Sequence, residues 1–299
     1  MDVPFVQKLL GILPERTPLP RPRAGETGLA IAWSVAGPLA VAYMAIAIAA
    51  AWPGAQAAAS GAATSGAGST TADGSLLAAS VWLGLSVPAW LMMWSAERAP
   101  AIGLPRMPPR HLLAATCAVF CLAEAPAFVA SVVFELTRSH SNTLAAYSAN
   151  GSGSTFLGDV ATSAAAGISE EIVVLVLPAL AAWRIGQALT GARQRRYGLL
   201  VLVVVLTGAR LSYHLEHGLA AAPLVPWAIV SVLLYLRSRA VLPLMLAHAG
   251  YDVLLAVVNR ITPAYGLAVS VTMFAVVTAV ALVTALGLAP GTGQRVTAA

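Results

Sequence analysis

Charge is scarce in this sequence. Only 10% of its 299 residues are Asp, Glu, Lys or Arg, 59% are apolar, and the mean hydropathy is +0.80. A chain of that composition cannot hide its apolar side chains inside a water-soluble globule, so lipid must be its solvent. Lysine is nearly absent: of 17 basic residues, all but Lys8 are Arg. The net charge of +5 is not gathered into a basic stripe with interleaved aromatics, which argues against nucleic acid as a partner. The arginines fall between apolar runs and read as topology signals. Cysteine is confined to Cys117 and Cys121, one turn apart in an apolar segment. That pair can build neither a disulfide framework nor a multi-cysteine metal site, and serves packing. Also missing are a second domain, an internal repeat and a His-Glu-x-x-His zinc helix.

What is present is a series of long apolar runs. A hydrocarbon core of ~30 Å needs roughly 20 helical residues. Eight segments qualify, at about 28–52, 76–95, 111–134, 156–183, 197–220, 222–236, 240–258 and 264–288, the sixth being short. Counts of Lys and Arg in the flanks alternate between high and low, which predicts an all-helical bundle of eight spans with both termini cytoplasmic. Residues 1–27 form a basic cytoplasmic segment, 28–288 the transmembrane bundle and 289–299 a tail. Within the first segment, residues 3–13 read either as a short surface helix, against the grain of Pro4 and Gly11, or as a basic tail. The loop from Pro53 to Gly74 is an Ala/Gly/Ser/Thr tether. Arg193, Arg195 and Arg196 read as a cytoplasmic anchor.

Ionisable side chains inside spans cost about 2.5 to 3.5 kcal/mol each, so they face a cavity or one another. Here they concentrate in three spans: Glu170 and Glu171 in the fourth, Arg210, His214, Glu216 and His217 in the fifth, His248 and Asp252 in the seventh. Glu124 stands alone in the third, two residues before Pro126, and reads as a helix-contact residue at a kink. Glu170 and Glu171 lie about 100° apart around a helix, so one must be the inward member. Glu170 shares its face with the small residues Ser163, Ala166 and Gly167, while Glu171 looks toward Ile168, Leu175 and Pro178. Glu170 is therefore the expected working carboxylate, with Glu171 beside it restraining joint ionisation. His248 and Asp252 are one turn apart on one face, as are Arg210 and His214. Such a set can supply a base, its helper and an electrophile for water-driven amide cleavage. It can equally supply metal ligands, Glu170, His214 and His248, to a divalent ion such as zinc.

The order and spacing of these residues resemble those of the CAAX-protease and bacteriocin-processing membrane proteases. That family's pattern is a Glu-Glu pair on one helix, an aromatic or apolar residue then His on the next, and His-x-x-x-Asn/Asp on a later one. The corresponding segments are Glu170-Glu171, Arg210-Leu-Ser-Tyr-His214 and His248-Ala-Gly-Tyr-Asp252, within a protease-like core at about 156–258. The resemblance implies an intramembrane endopeptidase in a bacterial plasma membrane, acting on a membrane-associated peptide or protein. Glu170 and His214 would activate water, His248 oriented by Asp252 would hold the oxyanion, and Arg210 would support them. The family also carries a metalloprotease label, though a glutamate mechanism requires no ion. Two departures stand out: Leu175 occupies a position where the family often has Arg, so the pairing that would steady the carboxylates is either missing or supplied by Arg210 or Arg184, and the last motif ends in Asp252. Rival readings are a proton-coupled transporter and an inactive scaffold of the same family. At 1.5 Å per residue His214 comes out at about 25 Å depth, beyond the other site residues. Either the fifth span starts later than 197 and tilts, with a bend at Gly208, which is the favoured reading, or His214 is not in the site.

Overall fold

A computed structural model describes residues 4–14, 107–137, 156–176, 178–179, 191–212, 214 and 221–289. Among these every regular element is helical: α1 (Pro4–Ile12), α2 (Pro109–Val119), a π turn π1 (Phe120–Glu124), α3 (Ala125–Thr137), α4 (Phe156–Glu170), a second π turn π2 (Glu171–Val176), α5 (Ala192–Ser212), α6 (Leu224–Ser238) and α7 (Val241–Gly287). The expected first two spans, the Pro53 to Gly74 loop, Arg184, Glu216 and His217 lie outside the described residues. Three described helical segments are long and apolar enough to cross a membrane: Pro109–Phe134, Val241–Val258 and Ala268–Gly287. They correspond to the third, seventh and eighth runs of the sequence. The chain is an integral membrane protein on that basis.

Both π turns have a local cause. Proline lacks an N–H and its ring collides with the carbonyl four residues back. For Pro126 that carbonyl belongs to Leu122, inside π1; for Pro178 it belongs to Val174, inside π2. Widening the turn relieves the collision without breaking the helix, and the Ala125 N–H accordingly reaches back five residues to the Phe120 carbonyl. Each widened turn also carries a buried glutamate, Glu124 or Glu171.

The α7 helix is not a single rod. Tyr251 and Phe274 are 23 residues apart, about 34 Å along a straight helix. Yet their ring centroids stand 5.8 Å apart. The chain therefore folds back between Tyr251 and Phe274, giving two arms side by side, in keeping with separate seventh and eighth spans. Phe274 stacks on Phe128 at 3.7 Å and on Phe120 at 5.7 Å, so one aromatic cluster ties α3 and π1 to both arms. Cys117 and Cys121 are free and half-buried in this region, with Cys121 Sγ 3.9 Å from the Thr278 carbonyl.

Of the two readings of residues 3–13 the helix holds, and the start of the fifth span is revised. Residues 4–12 are helical despite Pro4 and Gly11, and α1 buries Leu9 and Ile12, with Leu13 just past its end, against the bundle while Phe5 and Lys8 stay exposed. Proline in a first turn removes an N–H that would have no intrahelical partner anyway, which is why Pro4 is tolerated. The fifth helix starts at Ala192, earlier than expected, not later. Gln194 Oε1 accepts from the Gly191 N–H at 3.2 Å and closes its first turn. Arg193, Arg195 and Arg196 are thus exposed residues of the helix itself.

Candidate active site

The site begins with a close helix crossing. A Cβ built on Gly167 would lie 2.5 Å from the Ala249 backbone nitrogen, so α4 and α7 approach at a distance only glycine permits. One turn beyond Gly167, Glu170 and Glu171 are carried against His248, which directly precedes Ala249. Gly167, on the small face read with Ser163 and Ala166, is therefore a contact residue.

Both glutamates turn inward, contrary to the expectation that one must be chosen. Glu170 ends α4 and Glu171 begins π2, and the two bracket the same imidazole from opposite nitrogens. His248 Nδ1 lies 2.9 Å from Glu171 Oε1, while Nε2 lies 3.9 Å from Glu170 Oε2 and 3.4 Å from Asp252 Oδ2. Glu171 is the more enclosed of the pair, and its surroundings are not the apolar ones its neighbours in sequence suggested. Arg210, in the last turn of α5, donates to it twice, Nη1 to Oε2 at 2.9 Å and Nη2 to Oε1 at 2.6 Å. This bidentate geometry is the strong form of an arginine–carboxylate pair. It answers the Leu175 departure: the arginine comes from the next helix, not from one turn along the same one.

Side-chain exposure decides where the cluster meets its surroundings. Arg210 and Glu171 are 0% and 1% exposed, His248 and Glu170 5% and 7%, and Asp252 24%. The buried floor is thus the Arg210–Glu171 pair, and the open rim is at Asp252.

Trp227 of α6 escaped the sequence reading. Its indole lies beneath the Arg210 guanidinium, 4.2 Å from Cζ to the ring centroid, and meets His248 edge-on at 4.9 Å. His214, in a turn just past α5 with its N–H on the Leu211 carbonyl, reaches the cluster through this same ring, at 6.1 Å. No periodicity or motif marks Trp227 among the apolar residues of its run. Glu124 is also drawn in: it is 1% exposed, near Trp227, and within electrostatic range of His248, Glu171 and Arg210.

As a metal centre the arrangement fits poorly. Among the described residues no three His, Cys, Asp or Glu side chains are placed to hold an ion, so Glu170, His214 and His248 do not assemble as ligands. Glu171 already holds a guanidinium that a metal would have to displace.

Fold and site together define a helical membrane protein with a buried Glu–His–Arg centre. Residues 152–254 match the family model described as Rce1-like, type II CAAX prenyl endopeptidase Rce1-like. That third of the chain, which contains Glu170, Glu171, Arg210, His214, Trp227, His248 and Asp252, is similar to the CAAX-protease-type membrane endopeptidases. No curated protein and no solved structure matches the chain.

Proposed function

We propose that the chain is an intramembrane endopeptidase in which Glu170 activates water and His248 stabilises the oxyanion. The observation that carries this reading is the placement of the two glutamates on opposite nitrogens of His248. Glu171 holds Arg210 through both oxygens and His248 through one, so a proton arriving there would break the arrangement that positions both. Glu170 faces the other imidazole nitrogen at 3.9 Å, too far for a direct hydrogen bond and close enough for one water or carbonyl oxygen lying beside the pair to reach both.

In this scheme Glu170 takes a proton from water as the oxygen bonds to the scissile carbonyl carbon. The carbonyl oxygen, now anionic, accepts from His248 Nε2–H. Collapse breaks the C–N bond, and Glu170 returns its proton to the departing amine. Asp252 orients His248 and neighbours the open rim. His214, across Trp227, supports the base, and Glu171 with Arg210 holds the floor. No step passes through a metal.

The substrate class is a peptide presented at or within the bilayer, of the kind that prenyl endopeptidases cleave. The setting is a bacterial plasma membrane with eight spans and both termini cytoplasmic, a topology that reporter fusions at the termini and in the Pro53 to Gly74 loop will test. The decisive experiment is incubation of the purified full-length protein with a peptide library that includes C-terminally prenylated members. Site-specific cleavage that disappears in Glu170→Gln supports the reading; absence of cleavage of every peptide in a lipid-reconstituted preparation opposes it.

A further inference from the structure

Four side chains from four different elements close a ring. Arg210 of α5 is bound to Glu171 of π2, Glu171 Oε1 to His248 Nδ1 of α7, His248 packs on the edge of Trp227 of α6, and the Trp227 face lies under Arg210. Three members are ionisable. The fourth is an aromatic ring, and it is the one that joins α6 to the centre.

We propose that Trp227 is a positioning residue of this site, fixing the direction of the His248 ring and the Arg210 guanidinium together. The inference rests on the hydrolytic reading for its catalytic consequence but not for its structural one. Glu171 holds His248 at Nδ1 at 2.9 Å, whereas the contacts at Nε2, to Asp252 and Glu170, are longer and leave the imidazole room to pivot about the Nδ1 bond. The 68° edge-on contact at 4.9 Å blocks that pivot and keeps Nε2 directed at Glu170 and Asp252. On its face, the same indole holds a cation that is fully buried, the setting in which cation–π attraction is strongest. A guanidinium pinned on one side by an aromatic face can meet Glu171 only in the plane that gives two parallel bonds. The 6.1 Å contact with His214 adds a third titratable group referred to this ring. Trp227 is 4% exposed, with the Glu124 carboxyl within reach of its N–H and the ring making the contacts to His248, Arg210 and His214.

The test uses full-length protein reconstituted in lipid, with Trp227→Phe and Trp227→Met compared with wild type. Phe keeps an aromatic face and edge, weaker toward a cation than Trp; Met keeps bulk without a ring. Two readouts are taken: kcat and KM for a cleaved peptide, and the side-chain nitrogen resonances of 15N-labelled histidine, with His248 assigned by its loss in His248→Ala. A positioning role predicts kcat lowered about 3- to 10-fold in Phe and on the order of 100-fold in Met, with KM within about 2-fold. The His248 resonances should shift modestly in Phe and move or broaden in Met. Met, or Phe where Met is not recovered folded, matching wild type in both readouts overturns the proposal. Displaced His248 resonances in a protein that cleaves no peptide uphold the positioning and sink only the protease reading.

Discussion

Arg210 and Glu171, 39 residues apart in sequence, meet through two hydrogen bonds of 2.9 and 2.6 Å where neither side chain is more than 1% exposed. Such a pair is costly to break from one side, because the survivor is left as a buried unpaired charge, typically at about 3 to 5 kcal/mol. Arg210→Met is therefore expected to lower the unfolding midpoint in detergent sharply, by the equivalent of a few kcal/mol. Arg210→Lys should restore only part of it, since an ammonium cannot reproduce the two parallel bonds. A Lys variant as stable as wild type would show that charge alone is what the site requires.

The two adjacent glutamates separate by the same logic. Glu170→Gln keeps volume and most packing but removes a base, and should cost about two to four orders of magnitude in cleavage rate with little change in thermal midpoint. Glu171→Gln removes the acceptor of both Arg210 and His248, so activity and stability should fall together. Parallel activity assays and melts on the two variants distinguish them, and loss of stability in Glu170→Gln alone would reverse the assignment.

How much of this was legible in the sequence follows from which relations are local. The one-turn spacing of His248 and Asp252, the small face leading to Glu170 and the helical runs are properties of single segments, and hydropathy and 3.6-residue periodicity report them. The Glu171–Arg210 bond, the Trp227 contacts and the proximity of Glu124 depend on how separate helices cross, about which a single sequence is silent. The helical state of residues 4–12 and the early start of α5 depend on packing and end geometry that hydropathy does not weigh. Placing both glutamates inward needed the π turn, and its signal was visible in Pro178, though not its consequence.

His248 and Asp252 are expected to act as one unit, because Asp252 Oδ2 lies 3.4 Å from His248 Nε2 one turn along the same helix. His248→Ala and Asp252→Ala should each impair cleavage, and the double variant should be scarcely slower than His248→Ala alone. Rate losses that multiply would mean that Asp252 has a task of its own at the rim.

Gly167 and Gly208 form a matched pair of substitutions. A methyl group on Gly167 would stand 2.5 Å from the Ala249 nitrogen and 2.6 Å from its Cα, both backbone atoms that cannot step aside, whereas a Cβ on Gly208 meets nothing within 4 Å. Gly167→Ala should push α4 from α7, lowering the thermal midpoint and removing activity as Glu170 leaves His248. Gly208→Ala should be neutral or stabilising by up to about 1 kcal/mol, the usual gain at a helix interior. Comparable melts for the two variants would contradict the close crossing on which the site is built.

Glu124 supplies the last prediction. Its carboxyl is 1% exposed, Oε2 makes no well-formed hydrogen bond among the described residues, and the Trp227 indole N–H reaches toward the group. A buried acceptor left unsatisfied costs about 1 to 3 kcal/mol, which an apolar side chain of similar length does not incur. Glu124→Met is therefore expected to hold or raise the thermal midpoint, the π turn being maintained by Pro126 and the surrounding aromatic packing. Glu124→Gln, which retains a polar group in the same place, should not gain. The two melts are read together: a Met variant destabilised by more than about 1 kcal/mol relative to Gln would mean that the carboxyl is bound in the native membrane state. In that case its partner should be sought among Trp227, His248 and Asp252 by double-mutant cycles, since these residues share its electrostatic surroundings.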